Sequence, residues 1–346
     1  MPGLGVDLGD LVSREKITLE QLSGRSIAVD GYNSLYQFLA IIRGPTGEPL
    51  MDRQGRVTSH LSGLLYRTTN MAEKGIRLVY VFDGVPPSLK EAEIRRRSKV
   101  KEEALVKYEE AVTRGDFQEA RRYAQATSRV KDLMVEDAKR LLDALGVPWV
   151  QAPSEGEAQA AYIAKKGDVW AAASQDYDSL LFGAPHLVRN LAISGRRKLP
   201  RREAYVEVEP EVVELSRVLS ELGISREQLI DLGILVGTDY NPDGVRGVGP
   251  KTALKMLKEH GSIDKIPPTL QTEFPEDPLK IRRVFLNPEV TDSYSIQWRE
   301  PKTEEVVQFL YRERDFSEER VRNAVERMIS GLKERETKRT LNSFLH

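Results

Sequence analysis

The chain has no cysteine. That excludes disulfides, thiolate zinc sites and cysteine nucleophiles together. Histidine is scarce: only His60, His186, His260 and His346 occur. None pairs with another at a metal-ligand spacing, which argues against an imidazole zinc site. Any metal must therefore be held by oxygen. No apolar run approaches the length that crosses a bilayer. Met1 to Asp10 lacks the basic flank and apolar stretch of a signal peptide. An intracellular protein with no membrane partner is expected. An excess of one charge sign is also missing: 52 Lys and Arg stand against 53 Asp and Glu, a formal net charge of −1. Only the distribution of charge can speak for a polyanionic partner.

What is present is a globular composition, 40% hydrophobic and 30% charged over 346 residues, enough for two domains or one large α/β domain. Abundant Arg and Glu without cysteine is also a composition found in thermophiles. Short apolar runs at Ser26 to Val29, Leu78 to Phe82, Val147 to Val150 and Val169 to Ala173 read as strands. Helical periodicity lies between them. Strands alternating with helices predict a mainly parallel sheet flanked by helices. Residues 88–131 are long, charged and helical, more than a compact βαβ unit needs, and insertions of this kind usually carry function. Residues 225–261 read as helix, glycine-rich turn, helix. From residue 331 the chain is basic and polar and reads as a tail.

Carboxylates recur where strands end or helices begin. Asp30 closes one strand and Asp83 another. Glu155 and Glu157 open a helix, Asp176 and Asp178 follow a strand, and Asp239 follows a helix. In an open parallel sheet, sites form outside the carboxyl ends of the strands, so Asp30, Asp83 and Asp176 would share one rim. Clustered carboxylates repel one another unless a cation intervenes. Mg²⁺ prefers oxygen ligands and keeps waters for reaction, and two such ions can promote phosphodiester hydrolysis. Simpler readings exist for each residue alone. Asp-Gly after a strand is an ordinary turn, Ser154 with Glu157 fits a helix capping box, and Asp178 can cap the helix after it. Two resemblances are set aside. Gly244 to Thr252 approximates a P-loop, but Pro250 separates Gly249 from Lys251 and no strand precedes. An aspartyl-phosphate role for Asp176 and Asp178 would leave the other five carboxylates unexplained.

Two basic runs suit a polyanion. Five of the eight residues from Ile94 to Lys101 are basic: Arg95, Arg96, Arg97, Lys99 and Lys101. Residues 189–202 carry Arg189, Arg196, Arg197, Lys198, Arg201 and Arg202 with no acid. Solvated helix faces are the competing explanation. Gly247, Gly249 and Lys251, lying between helical segments, form a helix–hairpin–helix signature at which a phosphate can dock on backbone N–H groups. Tyr36 can stack on a base or be a core residue.

Five blocks together resemble the flap endonuclease family of structure-specific 5′ nucleases, in its archaeal form. They are Ala28 to Phe38, Val81 to Pro87, Ala152 to Ala158, Ser174 to Asp178 and Gly237 to Tyr240, in family order over nearly the whole chain. The resemblance implies a PIN-like α/β nuclease fold. It implies one nuclease domain over 1–330, with 88–131 as a helical arch for the 5′ strand and 225–261 as a helix–hairpin–helix duplex grip. Asp30, Asp83, Glu155, Glu157, Asp176, Asp178 and Asp239 would hold two Mg²⁺ ions, with Mn²⁺ able to substitute. Lys90 and Arg97 would contact the scissile phosphate, and Tyr36 would stack near the flap base. Arg95, Arg96 and Lys99 would touch DNA along the arch. His60 would fall where the family binds the other duplex arm and a one-nucleotide 3′ flap. The implied reaction is hydrolysis near the base of a 5′ flap, with 5′–3′ exonuclease activity, in DNA replication and repair. The cell compartment would be the archaeal cytoplasm, or the nucleus of a eukaryote, and the protein a monomer. The sequence departs from the family pattern at both ends. Met1 to Leu4 precede the usual start at Gly5. In the C-terminal sliding-clamp peptide, 331–346, Leu341 and Phe344 fit, while Lys338 replaces a glutamine and Leu345 an aromatic. Other 5′ nucleases of the superfamily, or a clamp-tethered DNA-binding scaffold, are the alternatives. A PIN-type ribonuclease would lack the arch and the hairpin.

Overall fold

Side chains along a strand alternate between faces, and this sorts the apolar runs into two cores. In β2 (Ser26–Asp30), Ala28 joins a cluster with Val79, Val81, Val150, Ala172 and Leu187, while Ile27 and Val29 join another with Leu78, Tyr80, Phe82, Ala171 and Ala173. Both faces of the sheet are therefore covered, as parallel sheets require. The computed structural model describes residues 6–344 apart from 45–46, 125–126, 128–129, 192–194, 199–204, 268–273 and 275–276.

The other strands of the main sheet are β1 (Glu15–Lys16), β3 (Arg77–Phe82), β4 (Trp149–Gln151), β5 (Ala171–Ala173), β6 (His186–Arg189) and β9 (Glu211–Glu214), in the order β1-β9-β6-β5-β2-β3-β4. The run from β6 to β4 is parallel, with Asp30 beside Val81 and Val29 beside Ala173. Antiparallel pairing enters only where β9 joins β6 and β1 joins β9. The expected mainly parallel sheet is thus found. The strands at its antiparallel edge are short and half polar, with no period-two pattern to announce them. A separate hairpin pairs β7 (Gly195–Lys198) with β8 (Tyr205–Val208).

Helices α1 (Gly31–Ile41), α2 (Ser59–Glu73), α5 (Asp132–Ala144), α6 (Gly156–Lys166) and α7 (Asp178–Leu181) connect the strands. The insertion is helical, as expected. A 3₁₀ turn at Ser88–Lys90 leads into α3 (Glu91–Thr113), Gly115 reverses the chain at φ 71°, and α4 (Phe117–Ala124) packs back along α3. Past β9 come α8 (Leu215–Leu222), α9 (Arg226–Val236), α10 (Pro250–His260) and α11 (Pro278–Leu286). A capping box between Ser225 and Gln228 starts α9. Buried Asp231 ties α9 to α11 through Arg282, whose Nε donates to Oδ1 at 2.7 Å.

An extended strap then returns across the molecule. Thr291 and Gln159 exchange two hydrogen bonds of 2.8 and 2.9 Å, and the Trp298 indole donates to the Leu78 carbonyl at 2.9 Å. The chain ends with α12 (Thr303–Val307), a π-helical turn at Gln308–Arg312 and α13 (Glu318–Phe344), which packs on α2. The stretch from 331, read from sequence as a tail, has helical backbone as far as Phe344, because no proline or glycine after Gly331 interrupts α13. Leu345 lies outside the described residues, as do the side chains of Leu341 and Phe344. No helix among the described residues is long and apolar enough to cross a membrane.

Candidate functional site

Four adjacent strands, β5-β2-β3-β4, end at the same edge, and each hands the chain to a segment bearing acid. Asp30 is the last residue of β2 and Asp83 follows β3. Glu155 and Glu157 follow β4, and Asp176 and Asp178 follow β5. Close crossing of these segments depends on glycine. Gly156 donates its N–H to Asp83 Oδ1 at 2.5 Å, and a Cβ there would sit 2.7 Å from that oxygen. A Cβ on Gly84 would meet the Pro153 carbonyl at 2.3 Å. Asp239 arrives from α9 through Gly237, at φ 123°. Fully buried Asn241 holds its turn, accepting from Thr238 Oγ1 at 2.7 Å and donating to the Ile234 carbonyl at 2.6 Å.

The two helix-capping alternatives fail, while Asp30, read alone only as a turn, is found to cap α1, accepting from Asn33 N at 2.9 Å. The capping box expected at Ser154 and Glu157 does not form. The N-cap residue of α6 is Glu155, without a side-chain cap bond, and Glu157 accepts from Ser179 Oγ at 3.0 Å across the site. The tertiary partner wins because Glu157 is drawn to the rim. Asp178 does not cap α7 either. It accepts from Val6 N at 3.1 Å, bringing the N-terminal segment to the site. Residues 1–5, including Gly5, lie outside the described residues.

Electrostatics binds the seven acids into one network. Burial, and then the Asp83 charge, hold Asp30 well above the usual carboxylate range. Burial and Glu157 do the same to Asp178. Burial and Asp176 push Glu157 up to about 7, while burial and Asp239 push Asp176 up to about 6. Asp83 is raised by burial against the opposing Gly156 N–H. The common cause is burial of the carboxylates, with neighbouring negative charge adding to it. Lys90 and Arg97 pair directly with these acids. Lys90 Nζ lies 2.8 Å from Asp239 and also binds Glu155, and these carboxylates raise its ammonium pKa although burial alone would lower it. Arg97, two turns along the same face, donates through Nη2 to Asp239. Among the described residues no three acidic or imidazole groups already form a cation cage. Lys90 sits between two of the seven instead. The donor set still fits a hard divalent cation: it is all oxygen, crowded and only partly neutralised.

The sequence reading passed over two further residues. Tyr240 donates its hydroxyl to Glu155 and packs edge-on against Phe285, 5.4 Å between centroids. Arg189 holds the loop bearing Asp176, donating to the Gln175 carbonyl at 2.9 and 3.0 Å and to Tyr177 Oη at 2.9 Å. Tyr240 sat in the Asp239 block and Arg189 headed the second basic run, but only their contacts disclose what they do. Tyr36 is half-buried, with Lys101 Nζ 4.8 Å over its ring. Lys101 therefore covers one face of that ring.

Residues 6–104 match the XPG N-terminal domain and residues 146–239 the XPG I-region. All seven carboxylates fall inside these two matches. The chain is 61% identical to Flap endonuclease 1 of Hyperthermus butylicus over 335 residues, 96% of each chain. The chain belongs to the flap endonuclease family. The solved flap endonuclease-1 from Methanococcus jannaschii has the same fold, with a TM-score of 0.75 at 43% identity, covering 96% of this chain and 100% of that one. The catalytic core of Rad2, solved in complex with DNA substrate, shares the fold at 23% identity, with a TM-score of 0.68 and 91% and 96% covered.

Within this flap endonuclease, the other residues singled out from sequence divide by exposure. Arg95, Arg96 and Lys99 lie on the exposed side of α3. Arg95 pairs with Glu91 and Arg96 with Glu93, at 2.8 and 2.7 Å. Gly247, with φ 80°, and Gly249 have open space where a side chain would stand, and Lys251 is exposed at the start of α10. The hairpin backbone is therefore accessible. His60 departs from its expected role. It is fully buried in α2, and burial pushes its imidazole down to about 4. It cannot touch DNA from there, because its helical phase turns it into the core. Of the basic residues in the second run, only the side chain of Arg189 is described. Arg189 is half-buried in β6, β7 carries Arg196, Arg197 and Lys198 with side chains outside the description, and Arg201 and Arg202 lie outside the described residues.

Proposed function

We propose that this chain is a structure-specific 5′ flap endonuclease. It hydrolyses phosphodiester bonds near the base of 5′ flaps, with accompanying 5′–3′ exonuclease activity, in DNA replication and repair. The carrying observation is the rim of seven carboxylates at the sheet edge, with Lys90 and Arg97 paired to it from the start of the helical insertion. The name and high identity of the relatives support it.

Asp30, Asp83, Glu155, Glu157, Asp176, Asp178 and Asp239 would hold two Mg²⁺ ions, or Mn²⁺ in their place. Bound there, the ions would supply a water made acidic enough to attack and charge to offset the leaving oxygen. The chain's own groups do the rest. Lys90 and Arg97 would exchange their carboxylate partners for the scissile phosphate and stabilise its developing charge. Tyr240 would keep Glu155 oriented, and Arg189 would keep the Asp176 loop in place. Tyr36 would stack against a base at the flap junction. Arg95, Arg96 and Lys99 would follow the phosphates along the arch, and the backbone at Gly247 and Gly249, with Lys251, would grip duplex phosphates. We read 1–330 as one nuclease domain, with the arch at 88–131 and the helix–hairpin–helix at 225–261. Residues 331–346, with Leu341, Phe344 and Leu345, would bind a sliding clamp. The protein would act as a monomer in the cytoplasm of an archaeal cell, or in a eukaryotic nucleus.

The test is a labelled double-flap DNA carrying a one-nucleotide 3′ flap, incubated with Mg²⁺ or with EDTA, and offered also to Asp178→Ala. Cleavage at the flap base, lost on chelation and in the variant, is expected. Binding without cleavage by the wild type would favour a DNA-binding scaffold, and cleavage surviving in Asp178→Ala would sink the metal assignment. Clamp pull-down unchanged on deleting Lys338 to His346 would end that part of the reading.

A further inference from the structure

Helix α3 carries two acid–arginine pairs of the same i,i+4 spacing in opposite surroundings. Glu91 and Arg95 lie in solvent, with side chains 59% and 79% exposed. Pairs of that kind contribute little. Glu93 and Arg97 are different. The Glu93 side chain is 5% exposed, and its Oε1 accepts from Arg97 Nε at 2.8 Å. Its Oε2 accepts from Arg96 Nε at 2.7 Å, and Arg96 Nη2 reaches Oε1 at 3.3 Å. Burial would raise the Glu93 carboxyl, but the hydrogen bonds from Arg96 and Arg97 outweigh it and hold it below its ordinary range.

A long arginine side chain on a helix otherwise has many rotamers of similar energy. Bonding Nε to a buried carboxylate fixes the plane of the guanidinium and sends its Nη groups one way. Here Nη2 reaches Asp239, on the carboxylate rim. Two of the five N–H groups are committed in these bonds, and the fork they belong to faces the site. We propose that Glu93 is a positioning residue for phosphodiester cleavage, aiming the Arg97 guanidinium at the place where the scissile phosphate is held. The inference rests on the role given to Arg97 above. Glu93 itself touches neither the rim carboxylates nor, in this arrangement, the substrate.

The experiment is a double-mutant cycle in the full chain. Single-turnover cleavage of the double-flap DNA is measured with Mg²⁺ for wild type, Glu93→Ala, Arg97→Ala, the double variant, Glu93→Gln and Glu91→Ala. DNA affinity in Ca²⁺ and the unfolding temperature are measured alongside. Arg97→Ala is expected to slow cleavage about 10²-fold, as for loss of one charge-stabilising donor. Glu93→Ala should slow it about tenfold, through misplacement of that donor. In the Arg97→Ala background, removing Glu93 should cost less than about twofold more, since only its bonds to Arg96 are then lost. Glu93→Gln keeps an acceptor oxygen, stays folded and should recover to within about threefold of wild type, while Glu91→Ala should cleave normally. DNA affinity should stay within about twofold of wild type for the Glu93 and Glu91 variants and fall only where Arg97 is removed. Equal losses from Glu93→Ala in both backgrounds would overturn the proposal, as would a Glu93→Ala enzyme as fast as wild type. An Arg97→Ala enzyme with wild-type rate would overturn the role of Arg97 itself, a distinguishable failure.

Discussion

Lowering the pH should destabilise this protein through one buried imidazole. His60 is fully buried near the start of α2, and neither ring nitrogen meets a hydrogen-bond partner. Burial holds its pKa at about 4, against an ordinary 6.5, with Asp137 opposing the shift and Arg314 adding to it. Above pH 6.5 the ring is neutral whether the chain is folded or not, so it contributes no pH dependence. Between pH 6.5 and about 4 the unfolded chain takes up a proton that the folded chain refuses. Stability therefore falls as the pH falls through that window and levels off below it. At roughly 1.4 kcal/mol per pH unit the full loss is about 3 kcal/mol, of which about 2.5 kcal/mol has gone by pH 4.5. The assay is urea unfolding at pH 7.5 and 4.5, followed by tryptophan fluorescence, for wild type and His60→Phe. The rim carboxylates titrate alike in both proteins, so the difference isolates His60. The variant should lose about 2.5 kcal/mol less on acidification. Its DNA affinity at pH 7.5 should match wild type, because the side chain does not reach the surface. An equal acid loss in both proteins would refute the reasoning.

Other consequences follow from single contacts. Asp178→Asn keeps an oxygen for the Val6 N–H but removes a charge that burial and Glu157 disfavour. In EDTA at pH 7.5 its unfolding temperature should rise by about 1–2 °C, about 1 kcal/mol, while cleavage falls by about 10³ or more. A lower unfolding temperature would contradict the repulsive network. Asp231→Ala leaves half-buried Arg282 with only Asp264, 3.6 Å away, and should lower stability by about 2–3 kcal/mol, read as a shifted urea midpoint. A change below about 1 kcal/mol would mean water compensates. Lys251→Ala should weaken duplex binding and reduce the slope of log affinity against log salt by about one. An unchanged slope would remove Lys251 from the phosphate contacts.

Much of the fold could be read from the chain because its signals are local. Four apolar runs bounded by polar residues mark four of the five parallel strands, β6 being missed, and the acids follow those four. Strand direction alone then sends Asp30, Asp83 and Asp176 to one edge. The helical character of 88–131 and of 225–261 was legible for a similar reason: helical periodicity broken by Gly115 or by Gly247 and Gly249 needs no distant partner to be recognised. The antiparallel strands β1 and β9 were not legible, since each is only a few half-polar residues held by its neighbour's backbone.

Side-chain duty within those elements was ambiguous from sequence, and the structure resolved it both ways. Ser154 and Glu157 had the spacing of a capping box, yet Glu157 turns to Ser179 and the rim. Asp30 caps its helix and faces the rim together. Glu91 and Glu93 look alike in the sequence, each four residues before an arginine, and differ only in what lies beside them. His60 looked available for DNA and is enclosed. By itself, then, the sequence determined where carboxylates, cations and glycines stand along each strand and helix, because that depends on order and period. The tertiary structure decided which of them lose water and which meet across the sheet edge. Burial and charge–charge energies depend on distances between residues far apart in the chain, and no local pattern encodes those distances.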